Sequence, residues 1–295
     1  MAEFKHTVTK EEEGKEVKDI MRMHFDFSSR LRNKIKREKL VFLNGEVTQG
    51  WYKVAVGDVV SVDLPEEKSN FPAQDIPLYP VYEDDDLLLL NKQPGLIVHP
   101  TKGHPVGTVA NALMHYQEIH HQSWKIRFVN RLDMDTSGLL IVAKNAYCQN
   151  DLTNQMKGNH LKKTYVAIVS GVIEEDSGTV DLPIGRPDPI DVRRGVMEDG
   201  APSVTHYKVL ERFRNYTLLE LKLETGRTHQ IRVHMSHIGH PVLSDHLYGE
   251  EKPYIIDRQA LHAKELTFQH PATGESMTVT APLPEDMKKA IETIR

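Results

Sequence analysis

The sequence predicts an α+β protein: a large mixed sheet preceded by a smaller α+β unit. Three observations carry this. From about residue 81 onward, strand-like segments come in mixed order with few crossover helices. The stretch PEEKSNFPAQDIPLYP, with Pro65, Pro72, Pro77 and Pro80 in a polar setting, reads as a linker over 65–80. Ahead of it, two helical patterns precede an Asn-Gly hairpin signal.

Residues 1–13 read as a polar tail. Helical spacing then links Val17, Ile20, Met21 and His24. Ser28 or Ser29 suits the N-cap of a second helix, in which Leu31 and Ile35 share one face at i, i+4. The rest of that helix is basic: RLRNKIKREK holds Arg30, Arg32, Lys34, Lys36, Arg37 and Lys39 against Glu38 alone. VFLNGEV is a hairpin around Asn44-Gly45, and VGDVVSVDL is a strand closing a unit at 14–64. Beyond the linker, DDLLLLNK and LIVHP are expected as strands flanking the Pro94-Gly95 turn. TVANALMHY follows as a helix with Val109, Leu113 and Met114 on one face. LLIVAK reads as a strand and AYCQNDLTNQMKG as a helix. KKTYVAIVSG, VTHYKVLERF and YTLLELKLETG read as strands, and RTHQIRVHMSHIG opens a helix. QALHAKELTFQHPATGESMTVTAPLP ends the 81–295 region as a strand hairpin. There is no internal repeat and no low-complexity tract.

The composition, 39% hydrophobic and 27% charged, is that of an ordinary soluble globular protein. No apolar run approaches the ~18 residues of a membrane span, and the charged N-terminus does not resemble a signal peptide. Cys148 is the single cysteine, which excludes an intramolecular disulfide and a Cys-based zinc cage. The expected location is therefore the cytoplasm. A net charge of −5 argues weakly against a nucleic-acid partner, but local patches decide, and the basic helix is one.

The chain has no P-loop, G-x-G-x-x-G, H-E-x-x-H or G-x-S-x-G motif. The best metal candidate is the run containing His229, His234, His237 and His240. It also carries Arg227 and Arg232, and cations oppose metal capture, so no metal and no cofactor are expected. Three residues carry more chemistry. Asp133, in VNRLDMDTSGLLIVAK, lies beside a buried strand, where a carboxylate loses hydration and needs compensation. Tyr165 sits in KKTYVAIV and Arg232 in HQIRVHM. Singly, these fit an ion pair, a strand aromatic and a surface cation.

Together they resemble a family. NRLDMDTSGLLIVAK is similar to the H-R-L-D-x-x-T-S-G signature of the RluA-type (RluA/RluD-like) pseudouridine synthases. NKQPGLIVHP, LKKTYVAIVSG, TGRTHQIRVHMSHIGHPVLSDHLYG and RQALHAKELTF resemble its flanking motifs in order, from about Val81 to Pro284. The segment before the linker is similar, less specifically, to an S4 RNA-binding domain. The resemblance implies the pseudouridine synthase fold, a mostly antiparallel mixed sheet with a central cleft, and RNA pseudouridine synthase activity. It implies Asp133 as catalytic aspartate, Tyr165 as active-site tyrosine, Arg232 as the partner of the aspartate, and Arg131 as the residue that takes the place of the flipped base. Asn130 stands where the family usually has His and reads as a supporting residue. Further RNA contacts are expected from Arg227, His229, Arg30, Arg32 and Lys36.

The chemistry agrees with these residue types. Isomerising uridine breaks N1–C1′ and forms C5–C1′ with no redox change, so it requires no cofactor. It needs a carboxylate where an electrophilic sugar carbon develops, as in glycoside cleavage. Asp133 can attack C1′ or take a C2′ proton; the sequence leaves both open. A guanidinium such as Arg232 supplies the counter-charge that a carboxylate needs in a dry pocket. Tyr165 can stack on the detached uracil or shuttle the C5 proton. Extruding the base costs a few kcal/mol, and Arg131, planar and cationic, suits the vacated space. Asp135 is expected to cap the turn through Thr136 and Gly138. The expected partner is structured RNA, most of all ribosomal RNA, bound by a monomer with no DNA or membrane partner. The rival readings are a non-catalytic RNA-binding relative and a hydrolase using Asp133 and Asp135. The presence of Asp133, Tyr165 and Arg232 together weighs against the first. The tie of Asp135 to the turn weighs against the second.

Overall fold

The computed structural model describes residues 4–188 and 190–295. Its N-terminal unit is a four-stranded antiparallel sheet, ordered β1 (Phe4–Thr7), β4 (Val59–Val62), β2 (Val41–Leu43), β3 (Glu46–Val47). Helices α1 (Val17–His24) and α2 (Ser29–Arg37) complete it. Ser28 is the α2 N-cap, its hydroxyl accepting from the Leu31 N–H at 3.2 Å. Asn44 and Gly45 both have positive φ, 55° and 85°, as a two-residue hairpin turn matched to strand twist requires.

Residues 4–12 are not a polar tail. β1 pairs with β4, a 3-10 turn covers Lys10–Glu12, and Phe4 and Val8 are buried. The charged residues around them hide the two apolar side chains that dock this strand. Phe4 also packs edge-on to Tyr147 at 4.7 Å, so the unit rests on the body of the protein.

The stretch 65–80 has no regular structure until β5 (Pro80–Glu83), but it is strapped down. Phe71, Ile76 and Leu78 pack against the core under α3 (Val109–Ile119), and the Pro72 carbonyl accepts from the Asn111 amide at 2.8 Å. The apolar residues between its prolines fix it in place.

The main body is a ten-stranded sheet. Its path runs β10 (Ser177–Asp181), β13 (Val204–Arg212), β14 (Tyr216–Leu223), β9 (Lys162–Ser170), β15 (Leu261–Gln269), β8 (Ser137–Ala143), β6 (Leu87–Lys92), β5. β7 (Arg127–Phe128) pairs with β8 and β16 (Ser276–Thr280) with β15. A separate ribbon joins β11 (Ile184–Gly185) to β12 (Gly195–Val196). α4 (Ala146–Lys157) and α5 (Gln230–His237) join the body at the positions expected, and α6 (Glu285–Ile294), not anticipated, seals the core with Met287 and Ala290. No described helix is long and apolar enough to cross a membrane.

LIVHP is not a strand. Ile97 makes only an isolated bridge to Thr108. The Ile97 and Val98 carbonyls instead accept from Val109 and Ala110, taking up N–H groups that the first turn of α3 cannot satisfy itself.

All pairings in the large sheet are antiparallel except β8 with β15, which touch only through Ser137–His262 and Gly138–Ala263. This short parallel seam joins the two halves. A Cβ on Gly138 would lie 2.2 Å from the Ala263 carbonyl oxygen, and φ there is +111°, so the seam closes only around glycine.

Candidate active site

Asp133 sits on the turn that feeds β8, immediately beside the seam. The turn is closed by the Thr136 N–H donating to the Asp133 carbonyl at 3.1 Å. Two buried cations hold its next two carbonyls. Lys92 donates from Nζ to the carbonyls of Met134 (2.8 Å), Leu96 and Gln93 (both 2.9 Å). Arg258 donates to the Asp135 carbonyl at 2.9 Å, while Asp286 of α6 grips its other edge. The turn is thus set by cation–carbonyl contacts from two distant segments. Burial pushes the Lys92 ammonium down to about 7, with Asp135 pulling the other way.

The Asp135 side chain makes none of the turn hydrogen bonds expected of it; among the described residues only its carbonyl is engaged, by Arg258. Backbone bonding and the two cations already satisfy the turn, and Ser137 and Gly138 belong to β8 itself.

Arg232, in the first turn of α5, donates from Nη1 to Asp133 Oδ2 at 3.0 Å. Its remaining donors go to Asp245: Nε to Oδ2 at 2.6 Å and Nη2 to Oδ1 at 2.8 Å. Burial opposes the charge on the guanidinium, but the Asp245 bonds outweigh it and raise its pKa. Burial likewise opposes the charge on Asp245; Arg232 and the Leu247 and Tyr248 N–H groups hold its pKa low. Asp245 is fully buried, and the sequence reading missed it. The signal was there in the SDHLYG run, where an acid is followed by residues whose N–H groups it can cap.

His229 occupies the left-handed region, φ 58°, just before α5. That conformation turns its ring into the site, with Nδ1 2.8 Å from the Tyr248 hydroxyl and Nε2 3.9 Å from Asp133 Oδ2. Burial lowers its pKa, against the pull of Asp133. The Tyr248 hydroxyl already accepts from the Arg194 N–H, so its own proton is free to go to Nδ1. The proton of the neutral ring then sits on Nε2, facing Asp133.

Tyr165 on β9 is 8% exposed and lines the same small recess as Asp133, Arg232, His229, Arg131 and Leu261, a space of about 60 Å³. Burial, then the charge of Asp133, pushes its phenol pKa up, so the hydroxyl keeps its proton near neutral pH. Arg131 is exposed at the rim and makes no hydrogen bond or ion pair among the described residues. Arg227 is exposed on the same wall, its Nε donating to the Pro202 carbonyl at 3.2 Å. Gln259 is 1% exposed and lines the cleft with an unpartnered amide oxygen.

Asn130 borders the cleft, but its side chain is committed to the strand pairing. It is buried; its amide donates to the Leu139 carbonyl at 3.0 Å and accepts from the Ile141 N–H at 2.8 Å. It thereby extends the β7–β8 ladder by one rung. An amide can donate and accept along one edge, whereas an imidazole edge cannot, so Asn at this position serves the strand pairing.

The recess opens into a cleft of about 2270 Å³ that runs to α2 of the N-terminal unit. Its wall carries Arg30, Lys34, Arg37, Lys125, Arg127, Arg131, Lys163, Arg227 and Arg232, against Glu67, Asp133 and Asp135. A basic cleft on an acidic protein reconciles the net charge with an anionic ligand. Of the α2 residues expected to bind RNA, only Arg30 lines the cleft. Arg32 turns back to the Phe27 carbonyl, and Lys36 lies outside the lining. The pitch of the helix instead presents Lys34 and Arg37 beside Arg30. The four histidines of the 229–240 run do not converge: His234 is held by Thr205 and Leu182, and His240 by the Ser170 carbonyl.

Comparison with known proteins agrees with this geometry. The sequence profile described as RNA pseudouridylate synthase matches residues 86–237. The chain is 46% identical over 259 residues to the "Uncharacterized RNA pseudouridine synthase YlyB" of Bacillus subtilis, covering 86% of both chains. It is 42% identical over 282 residues to the "Ribosomal large subunit pseudouridine synthase D" of Escherichia coli, covering 90% of this chain and 86% of that one. Among solved structures, human RNA pseudouridylate synthase domain containing 1 aligns at a TM-score of 0.59 and 28% identity, over 76% of this chain and 96% of its own. The human domain containing 4 aligns at 0.61 and 23% identity, over 73% and 92%, a likeness of fold.

Proposed function

The chain belongs to the RNA pseudouridylate synthase family, and from that premise we propose that it isomerises selected uridines of large-subunit ribosomal RNA. The relatives named for that subunit support this substrate, as does the basic cleft. The observation that carries the mechanism is the 3.0 Å pairing of Asp133 with Arg232 at the floor of that cleft.

In this reading the target uridine leaves its helix and enters the recess, and Arg131, free at the rim, fills the vacated stack. Asp133 acts at the sugar, as nucleophile on C1′ or as base at C2′. Arg232 holds the carboxylate in place and balances its charge, and Asp245 holds Arg232. The protonated phenol of Tyr165 suits stacking on the detached uracil better than accepting the C5 proton. The N-terminal unit, residues 4–64, acts as an S4-like RNA-binding module whose α2 tracks the phosphate backbone. Such an enzyme works in the cytoplasm, where ribosomes are assembled.

Mapping pseudouridines in large-subunit RNA from cells with and without the gene tests the reading. Specific sites should revert to uridine in the deletion and return with the wild-type gene but not with Asp133→Asn. An unchanged ribosomal map, with lost sites in transfer RNA instead, would overturn the substrate assignment.

A further inference from the structure

On the N-terminal unit, well outside the catalytic recess in sequence, three side chains from three elements converge. His6 comes from β1, Glu12 from the 3-10 turn and His24 from the end of α1. Their ligating atoms all lie within 4.8 Å of one another. His6 Nε2 is 2.8 Å from one Glu12 oxygen, and His24 Nε2 is 2.5 Å from the other. The two rings are stacked, centroids 3.5 Å apart and 15° from parallel. We propose that His6, Glu12 and His24 bind one divalent transition-metal ion of the zinc class.

Direction carries the argument: both rings aim Nε2 at one carboxylate. In a tetrahedral site with zinc–ligand bonds of about 2.1 Å, ligand atoms lie about 3.3 Å apart. The two histidine–carboxylate contacts need to open by less than about 1 Å to reach that spacing, and the stacked rings must splay apart as both turn toward the ion. The donor set, two imidazoles and a carboxylate, suits zinc and its neighbours, not calcium or magnesium. Glu12 is 4% exposed, while the rims of His6 and His24 leave room for a water as fourth ligand.

The position gives the ion a structural task. A unit of about 60 residues is marginal by its own core. The ion would clamp β1, the 3-10 turn and the end of α1 together, the segments whose Phe4 and Phe25 rings meet at 5.9 Å. The sequence reading, which expected no metal, looked to the 229–240 histidines because they are adjacent in the chain; here the ligands come from separate elements.

The test uses the full-length protein, stripped with chelator and dialysed. Zinc binding is measured by calorimetry and retained metal by elemental analysis, and cobalt(II) reports the geometry by its visible spectrum. The wild type should bind about one equivalent of zinc, melt higher with it, and give a tetrahedral cobalt spectrum. His6→Gln and His24→Gln should each weaken binding at least about tenfold and abolish the melting shift. Because a variant can fail to fold, histidine ring NMR of the wild type is recorded as well, and zinc should perturb two stacked rings. Absence of stoichiometric binding by the folded wild type overturns the proposal. So does full retention of metal in both variants, or its loss in His229→Gln instead.

Discussion

Asp245 grips Arg232 along the edge opposite Asp133, with contacts of 2.6 and 2.8 Å, and is itself fully buried. The guanidinium therefore cannot turn without breaking a buried pair. Asp245→Asn keeps the shape but loses the charge, and Arg232 becomes free to swing wholly onto Asp133. We expect kcat to fall about 10- to 100-fold, with RNA affinity changed far less. The melting temperature should also drop, since breaking a buried pair costs about 3–5 kcal/mol. Single-turnover assays beside equilibrium RNA binding measure the split. Equal losses in both would mean that Asp245 supports the cleft as a whole, not the orientation of Arg232.

The basic face of α2 should set affinity. Replacing Arg30, Lys34 and Arg37 together by Gln removes three cations from the cleft wall. Binding of a ribosomal RNA fragment should weaken, and the slope of log K against log salt should fall by about two to three. Saturating single-turnover rates should stay near wild type. The control replaces Arg32 and Lys36, which do not line the cleft. If the control matches the triple variant, the face has been misassigned. Because Lys34 also pairs with Glu67 at 3.0 Å, melts are needed alongside.

Much of this site was legible in the sequence for a definite reason. Asp133, Tyr165 and Arg232 lie in segments whose motifs are local, so the chain itself displays them. What escaped is what the fold assembles from afar. Lys92 and Arg258 act on the Asp133 turn from positions about 40 and 120 residues away, and neither segment hints at the other. Which cations of α2 face the cleft depends on the angle at which the helix docks, and a basic run does not record it. The first strand was hidden by the opposite problem: two buried side chains, Phe4 and Val8, amid charge.

Gly138→Ala should be among the most damaging single-methyl changes in the protein. The added carbon meets the Ala263 carbonyl at 2.2 Å, in a backbone conformation that alanine avoids. The β8–β15 seam would have to part, costing more than about 4 kcal/mol. Gly95→Ala is the comparison: its φ is +77° but a Cβ there meets nothing within 4 Å, so only about 1 kcal/mol of strain is expected. Urea denaturation of both variants checks the difference. Similar midpoints would mean the seam is not tightly closed.

Two buried histidines, His262 and His234, and the half-buried His229 should make the fold acid-sensitive above the range where carboxylates titrate. Burial lowers the pKa of His262 to about 4, and lowers those of His229 and His234. Their unfolded forms protonate near 6.5, so below 6.5, and for His262 down to about 4, the unfolded chain binds more protons and stability falls as the pH falls. For His262 alone the full loss is about 3 kcal/mol by pH 4. His262→Gln should lower stability at pH 7 but flatten the slope between pH 6.5 and 5. Chemical denaturation at stepped pH reads this directly. An unchanged slope would show that His262 is already protonated in the fold.

Asp133→Asn should abolish turnover while leaving the fold intact. The two side chains are nearly isosteric, and an amide oxygen can still accept from Arg232. The amide can serve neither as nucleophile nor as base at the sugar, and losing such a group commonly costs several orders of magnitude in rate. RNA binding should persist, because Arg232 loses a counter-charge and the cleft becomes more positive. Asp135→Asn is the control. Its side chain makes no turn hydrogen bond, and Arg258 holds its carbonyl, which the substitution leaves in place. That variant should keep most of its activity, lowered only as far as Lys92 loses a nearby charge. Tritium release from C5-labelled uridine RNA compares the two, with melts confirming the folds. A dead Asp135→Asn beside an active Asp133→Asn would mean that the other carboxylate does the chemistry. Full activity in both would remove the aspartate mechanism altogether.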